Sequence, residues 1–408
     1  MPDINPDRLL SSLESLRAIG QSGTGVHRPA LSSSDLEARS WVLGQLEAIG
    51  HLAEMDRFGT VLGKARTPGR TILIGSHTDT VPNGGWLDGA LGVAYGLEIA
   101  MAHTETFGPE KARIDVISFQ DEEGTFVPCL GSRAFVGDIV DESAVAEYRA
   151  LDGRRLEDAL ARDDLAARPI LRLEQGRNIA FLEAHIEQGP RLDESGLCIG
   201  LVRTIVGIRH FKIAITGRAD HAGTTPMTKR QDAGAAMFRL ANQILDRLSD
   251  QAEADTVWNI GHAVLSPGAV NVVPEIAEIT LEVRDTSDNR LDALEASIRS
   301  LTEATEADLA MPIQISRVTA IPSTPMAAEV VDALGRASRA LNIPALPMHS
   351  GAGHDAMILA RHLPTAMLFV PSIGGRSHSA AEDTRKEDIV TGCRVMSAAA
   401  EYLLAAEP

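Results

Sequence analysis

Apolar positions recur along this chain with two periods, and the switch between them marks the elements. Between residues 7 and 50 the period is helical twice over: DRLLSSLESLRAIG runs to Gly20 and SSDLEARSWVLGQLEAIG to Gly50, so the segment reads as helix, loop, helix. Asp35 or a serine before it is placed to cap the second helix. The short apolar runs RTILIGSH and ARIDVISFQ follow, separated by the helical pattern GALGVAYGLEIAMAH. Strands alternating with helices of this length predict an α/β domain whose mostly parallel sheet is flanked by helices.

From about residue 210 the texture tightens. FKIAITG, TVWNIGHAVL, AEITLEVRD and PIQISRV read as strands, and RQDAGAAMFRLANQILDRLS and NRLDALEASIRSLTEAT as helices, giving a βαββαβ order. The pattern predicts a smaller α+β domain at 210–326 inserted into a first domain made of 1–209 and 327–408. Helix EVVDALGRASRALN, strand TAMLFVP and helix DIVTGCRVMSAAAEYLLAAE resume the first domain after it. The acidic, Ala-rich stretch 141–169 reads as a helical excursion on the surface.

Composition narrows the class. The 408 residues are 44% apolar and 23% charged, an ordinary globular balance. With 38 Lys+Arg against 56 Asp+Glu the formal charge is −18, which repels nucleic acid and anionic membranes. A small anionic substrate remains admissible, because one nearby Arg outweighs a background screened over about 8 Å. The start MPDINPDRLLSSLESL lacks a basic, unbroken apolar leader, and the longest apolar stretches are interrupted by Glu98 and Glu401, so a cytoplasmic protein is expected. Cys129, Cys198 and Cys393 are odd in number and widely spaced, which fits buried free thiols in a reducing compartment.

Four segments carry chemistry. ILIGSHTDTVPNGGWLDGALG puts His77 and Asp79 just past an apolar strand and Asp88 at the start of a helix, where open α/β sheets place ligands. Two residues apart, Asp79 is positioned to orient His77 through its carboxylate, as a partner behind a metal-bound imidazole does. DVISFQDEEGTF ends a strand with Glu122 and Glu123, which repel unless one faces a cation while the other acts as a base of raised pKa. AFLEAHIEQGPRLDESG supplies His185, and FVPSIGGRSHSAAED supplies His378. Each segment alone fits a local structural role equally well; together they gather imidazoles and carboxylates at strand ends, a donor set without thiolate that suits Zn²⁺, Mn²⁺ or Co²⁺ in a catalytic site. GxSxG, HExxH and GxxxxGK[ST] patterns are missing from the sequence, which argues against serine-hydrolase and nucleotide chemistry.

In order and spacing these segments, with QDEEGTFVPCLGSRAFVG, EAHIEQGP, GRADHAGTTPM, NVVP, LEVRD and SGAGHDA, resemble the hydantoinase/carbamoylase family of amidases within the aminoacylase and carboxypeptidase superfamily. The resemblance runs over nearly the whole chain. It implies two divalent cations per subunit, one held by His77 and His185, the other by Glu123 and His378, with Asp88 bridging and Glu122 as general base. It implies that 210–326 is a lid and dimerisation domain that completes the partner's active site in a homodimer. It also implies substrate contacts from His221, Asn271 and Arg284 in the insertion and from Gln188 and the Gly353 backbone. In chemical terms Arg284 offers a planar fork for a substrate carboxylate, and His221 a donor for the developing oxyanion.

The expected reaction is hydrolysis of an N-carbamoyl-L-amino acid to amino acid, ammonia and carbon dioxide. Allantoate and 3-ureidopropionate are alternatives that the same Arg284 would serve; GGWLDG and EEGTF depart from the family pattern and leave that choice open. An aminoacylase or dipeptidase, and a metal-free binding protein on the same scaffold, are the more distant readings. The ADHAG, NVVP and SGAGHDA segments argue against the first, and the five retained ligands with Glu122 against the second.

Overall fold

In the computed structural model, which describes residues 2–139, 143, 147–161 and 165–406, the apolar run Thr71–His77 becomes a strand buried along its whole length. Ile114–Phe119, Asn178–Ile186 and Thr365–Val370 join it in the order Ile114–Phe119, Thr71–His77, Asn178–Ile186, Thr365–Val370, every neighbouring pair parallel. Strands covered by helices on both faces can be apolar throughout, which is why these four lack polar alternation. They form the centre of a nine-stranded sheet. Its flanks are antiparallel: Val61–Lys64 and then Leu52–Met55 on one side, Ile199–Ile205 on the other. The residue pattern did not predict these flanking strands, because Leu52–Met55 is short and half-exposed and so carries little hydrophobic signal.

The helices follow the apolar periods. Pro6–Ala18 is capped by Asn5, whose side chain accepts the N–H of Asp7 and Arg8. Ser33–Ala48 is capped by Ser32, which leaves Asp35 to another use described below. Ala90–Phe107 is buried on nearly every face over its first three turns. Among the described residues, Lys386–Ala406 is the one helix long and apolar enough to cross a membrane, and half of its apolar window is buried inside the protein. The reading of 141–169 as a surface excursion needs correction where it is described. Leu156, Ala159, Leu160 and Leu165 are buried and pack with Phe126, Val127 and Leu130; residues 140–142, 144–146 and 162–164 lie outside the described residues.

The chain divides into two units, Met1–Arg203 with Pro325–Pro408, and Thr204–Thr324. The second holds a four-stranded antiparallel sheet in the order Val257–Ser266, Ile276–Asp285, Gly207–Thr216, Ile313–Ile321. Helices Ala233–Gln251 and Asp288–Leu309 cover one face, where Leu240, Ile244 and Ile298 meet Phe211, Ile213, Ile279 and Leu281. Side chains alternate faces along a strand, so the other face presents His210, Lys212, Glu282 and Arg284.

Candidate active site

The Thr71–His77 strand delivers His77 to the carboxyl end of the parallel sheet, and the chain returns there with Asp88 just before helix Ala90–Phe107. Between them and the helix stands Gly89 at φ +67, where a Cβ would lie 2.4 Å from the His77 ring. Only glycine meets both demands, the left-handed backbone and the close approach of an imidazole. His185 comes from the end of Asn178–Ile186, Glu122 and Glu123 from the loop after Ile114–Phe119, and His378 from the loop after Thr365–Val370.

Two groups of donor atoms form there, each with all members within 4.8 Å: His77, Asp88 and His185, and Asp88, Glu123 and His378. Asp88 is shared, one oxygen to each group. Its Oδ1 lies 2.9 Å from His185 Nε2 and 3.9 Å from His77 Nε2; its Oδ2 lies 3.1 Å from His378 Nε2. Glu122 Oε2 stands 3.6 Å from His77 Nε2, and Glu123 Oε2 3.5 Å from His378 Nε2. The structure therefore brings together all five residues expected as ligands, and Glu122 with them.

The rings are aimed as cation ligands require. His77 Nδ1 is 3.0 Å from the Asp79 carbonyl and His185 Nδ1 2.9 Å from the Ile186 carbonyl. A carbonyl accepts only, so each Nδ1 carries a proton and each Nε2 is left facing inward toward Asp88. Glu123 Oε1 is buried with no hydrogen-bond partner, an acceptor that a cation would satisfy. Imidazole and carboxylate, with no cysteine in either group among the described residues, fit a borderline or hard divalent ion. The electrostatics agree. Burial, then the charge of Glu123, holds the Glu122 carboxyl well above its ordinary value. Burial, followed by the charges of Asp88 and Asp79, raises Glu123 to about 9. Burial lowers His77 to about 4, whereas at His185 the effect of burial is outweighed by the hydrogen bond and charge of Asp88, which raise it to about 9.

Asp79 acts differently from the expectation. The hydrogen-bond partner of His77 is its backbone carbonyl; its carboxylate Oδ1 lies 3.8 Å from His77 Nδ1, beyond hydrogen-bond distance. One carboxylate oxygen receives Arg39 Nη2 at 3.3 Å and the other the Glu123 N–H at 3.3 Å. The physical reason is charge: a fully buried carboxylate seeks a cation, and Arg39 supplies one where an imidazole would have to be protonated. Arg39 is in turn held by Asp35 at 2.9 Å and by the carbonyls of Gly59 and Ser118. Residue patterns missed this pair, although a signal exists: Asp35 and Arg39 lie four apart on the same stripe as Val42 and Leu46, charges on a face that points to the core.

Beneath the donors lies a polar layer that was also missed. Glu183, two residues before His185, accepts the Ser76 hydroxyl at 2.7 Å and the Ala356 N–H at 2.8 Å. The His354 ring packs edge-on against His185 with centroids 4.6 Å apart, and its Nε2 meets Ser350 Oγ at 2.8 Å. A glutamate inside the otherwise apolar strand NIAFLEAHI is the sequence signal for it.

Of the residues expected to meet substrate, Gln188 joins the cluster directly. Its backbone is left-handed at φ +60, its N–H is held by Ser372 Oγ at 3.0 Å, and its Nε2 reaches Asp88 Oδ2 at 3.3 Å. Gly353 lies exposed in the loop before His354. The other three belong to the second unit. His221 and Asn271 sit on adjoining exposed loops, tied by the Ala222 N–H to the Asn271 carbonyl at 3.0 Å. His221 Nδ1 accepts the N–H of Gly223 and Thr224 at 3.0 and 3.2 Å, so its proton resides on Nε2, which becomes a donor. Arg284, on the open sheet face, is engaged by Glu282 at 2.7 Å through Nε and 3.2 Å through Nη2, and Glu282 also meets His210.

Residues 73–402 match the profile described as Peptidase family M20/M25/M40. The chain is 33% identical to the N-carbamoyl-L-amino-acid amidohydrolase of Pseudomonas sp. (strain NS671), over 96% of this chain and 97% of that protein. It is also 33% identical to the allantoate amidohydrolase of Escherichia coli (strain K12), over 91% of this chain and 92% of that one. The crystal structure of an amidase of the hydantoinase/carbamoylase family from Burkholderia phymatum superposes with a TM-score of 0.91 at 45% identity, covering 99% of each chain.

Proposed function

The chain belongs to peptidase family M20/M25/M40 and, within it, to the hydantoinase/carbamoylase amidases, and from that membership we propose that it hydrolyses N-carbamoyl-L-amino acids with the help of two divalent cations. Hydrolysis of a linear amide or ureido bond follows from the family; the carbamoyl substrate, the number of cations and the residue roles are our reading. The observation that carries it is Asp88, one carboxylate shared by two donor groups.

In this reading His77, Asp88 and His185 hold one cation and Asp88, Glu123 and His378 the other. Zn²⁺, Mn²⁺ and Co²⁺ all suit these donors. Bound there, the pair supplies Lewis acidity and lowers the pKa of water at the site. Glu122 accepts the proton of the attacking water; its carboxylate stands beside the donors, with Oε2 3.6 Å from His77 Nε2. The oxygen adds to the carbamoyl carbon, and His221, which the insertion contributes to the partner's active site, donates from Nε2 to the oxygen that becomes negative. Glu122 then returns the proton to the departing nitrogen, leaving the amino acid and carbamate, which breaks down to ammonia and carbon dioxide. Arg284 and Asn271 are also contributed by the insertion to the partner's active site. Arg284 takes the substrate carboxylate by its planar fork, exchanging Glu282 for the incoming anion, while Asn271 orients the ureido group together with the Gln188 side chain and Gly353 backbone of that site.

We assign catalysis to the first unit and the roles of lid and dimer surface to the second. Apolar exposure supports the latter: Val257 and Val264 on the edge strand Val257–Ser266 and Phe238 on helix Ala233–Gln251 are 54%, 46% and 62% exposed. Three free cysteines, two of them buried, support a cytoplasmic location.

The test is ammonia release from several N-carbamoyl-L-amino acids, allantoate and 3-ureidopropionate after reconstitution with zinc, manganese or cobalt, with metal content measured alongside. Fastest release from the N-carbamoyl-L-amino acids and two cations per subunit are expected. Release only from allantoate or 3-ureidopropionate transfers the assignment to that substrate. No release from any, with cleavage of N-acyl amino acids or dipeptides, overturns it.

A further inference from the structure

We propose that Glu382 is a positioning residue that shapes the shared aspartate and ties it to the loop of His378; this rests on the two-cation reading above. The amides of Leu87 and Asp88 precede a helix whose N-cap, Gly89, has no side chain to cap it. Both amides are buried and need an acceptor. Glu382 Oε1 receives both, each at 3.0 Å, from 294 residues further along the chain in the case of Asp88. Its Oε2 accepts the Ser377 hydroxyl at 3.2 Å, and the same Ser377 oxygen stands 3.4 Å from Asp88 Oδ2. One carboxylate thus grips the backbone of the Asp88 loop with one oxygen and the residue next to His378 with the other.

The loop around Asp88 is cut to fit it. A Cβ at Gly85 would lie 1.9 Å from Glu382 Cδ and Oε1, while the backbone there imposes no left-handed requirement. The glycine is needed for the room that Glu382 occupies. A simple helix cap would be met by a serine or threonine next to the helix. A buried carboxyl group brought in from the opposite end of the chain is more than a cap requires, and its second oxygen, on Ser377, supplies the tie between the Asp88 loop and the residue next to His378 that holds the ligands in register.

The test uses metal-stripped full-length protein: wild type, Glu382→Gln, Glu382→Ala, Gly85→Ala and the Gly85→Ala/Glu382→Ala double variant. Zn²⁺ affinity and stoichiometry are measured by competition with a chromophoric chelator, and thermal unfolding of the stripped proteins separately. Glu382→Ala should weaken one of the two sites about 10–100-fold, the scale of lost support behind a ligand. Glu382→Gln, whose amide oxygen still accepts both N–H groups, should recover most of that loss. Gly85→Ala should weaken the same site by expelling the carboxylate, and should add nothing in the double variant. Unchanged Zn²⁺ affinity in Glu382→Ala, or a glutamine variant no better than alanine, overturns the proposal. If Glu382→Ala does not fold, Gly85→Ala against Glu382→Gln makes the same comparison. A wild type that binds fewer than two cations instead sinks the two-cation reading, so the two failures are distinct.

Discussion

The candidate residues of the two units differ in how firmly they are held. In the first, His77 and His185 are 1% exposed and Asp88 3%, and each ring has its outer nitrogen bound to a carbonyl and its inner one turned toward Asp88. In the second, His221 and Asn271 are exposed, and Arg284 is bonded through Nε and Nη2 to Glu282, two residues away. The difference teaches what each group must do. Under the proposed function, donors that keep a cation gain from being dry and fixed before it arrives, and groups that take and release an anion gain from being reachable and carrying a partner that can be exchanged. His378, with half of its side chain exposed, is the exception among the cation donors of the first unit.

That contrast can be broken by substitution. The largest effect expected is for Glu122→Gln, which should lower kcat by about 10²–10⁴, the usual contribution of a general base, while both cations remain bound; steady-state rates and metal analysis on one preparation check it, and unaltered turnover removes Glu122 from the mechanism. Next comes Arg39→Met, which strands Asp35 and Asp79 without their buried partner and should cost about 3–5 kcal/mol of folding stability in urea denaturation. Arg284→Lys should leave folding nearly untouched yet reduce kcat/KM about tenfold or more, the worth of a charged hydrogen bond and a fork that lysine lacks. A stability loss in Arg284→Lys equal to that of Arg39→Met would erase the distinction between the units. The mildest effect is on pH. His185 and Glu123, both raised to about 9, hold protons at neutral pH that a cation must displace, so cation affinity should climb with pH toward about 9 and level off above it. Chelator competition across that range checks the sign; an affinity that falls as pH rises contradicts it.

Much of this was legible in the residues. Three of the four central strands are written as short, mostly apolar runs, and the sites where those runs stop are where His77, Glu122, Glu123 and His378 lie. His185 was readable only through its motif, since a histidine closing an apolar strand is also what a satisfied core residue looks like. The antiparallel flanking strands were not legible, because half-exposed strands of four residues fit several patterns. The part of Asp79 was misread: its spacing from His77 permits a carboxylate contact, but Arg39, 40 residues away, competes for the same carboxylate and takes it.

The sequence by itself determined which side chains can bind a cation, where along the chain each strand delivers them, and the βαββαβ order of the insertion. Periodicity and spacing are local properties, written within a few residues of each other. Only the tertiary structure decided that Asp88 turns one oxygen to each donor group, that Arg39 rather than His77 claims the Asp79 carboxylate, and that Glu382 meets the amides of Leu87 and Asp88. Those outcomes are competitions among buried charges and donors from distant segments, and such competitions are settled by which groups the folded chain brings within hydrogen-bonding distance where water no longer screens them.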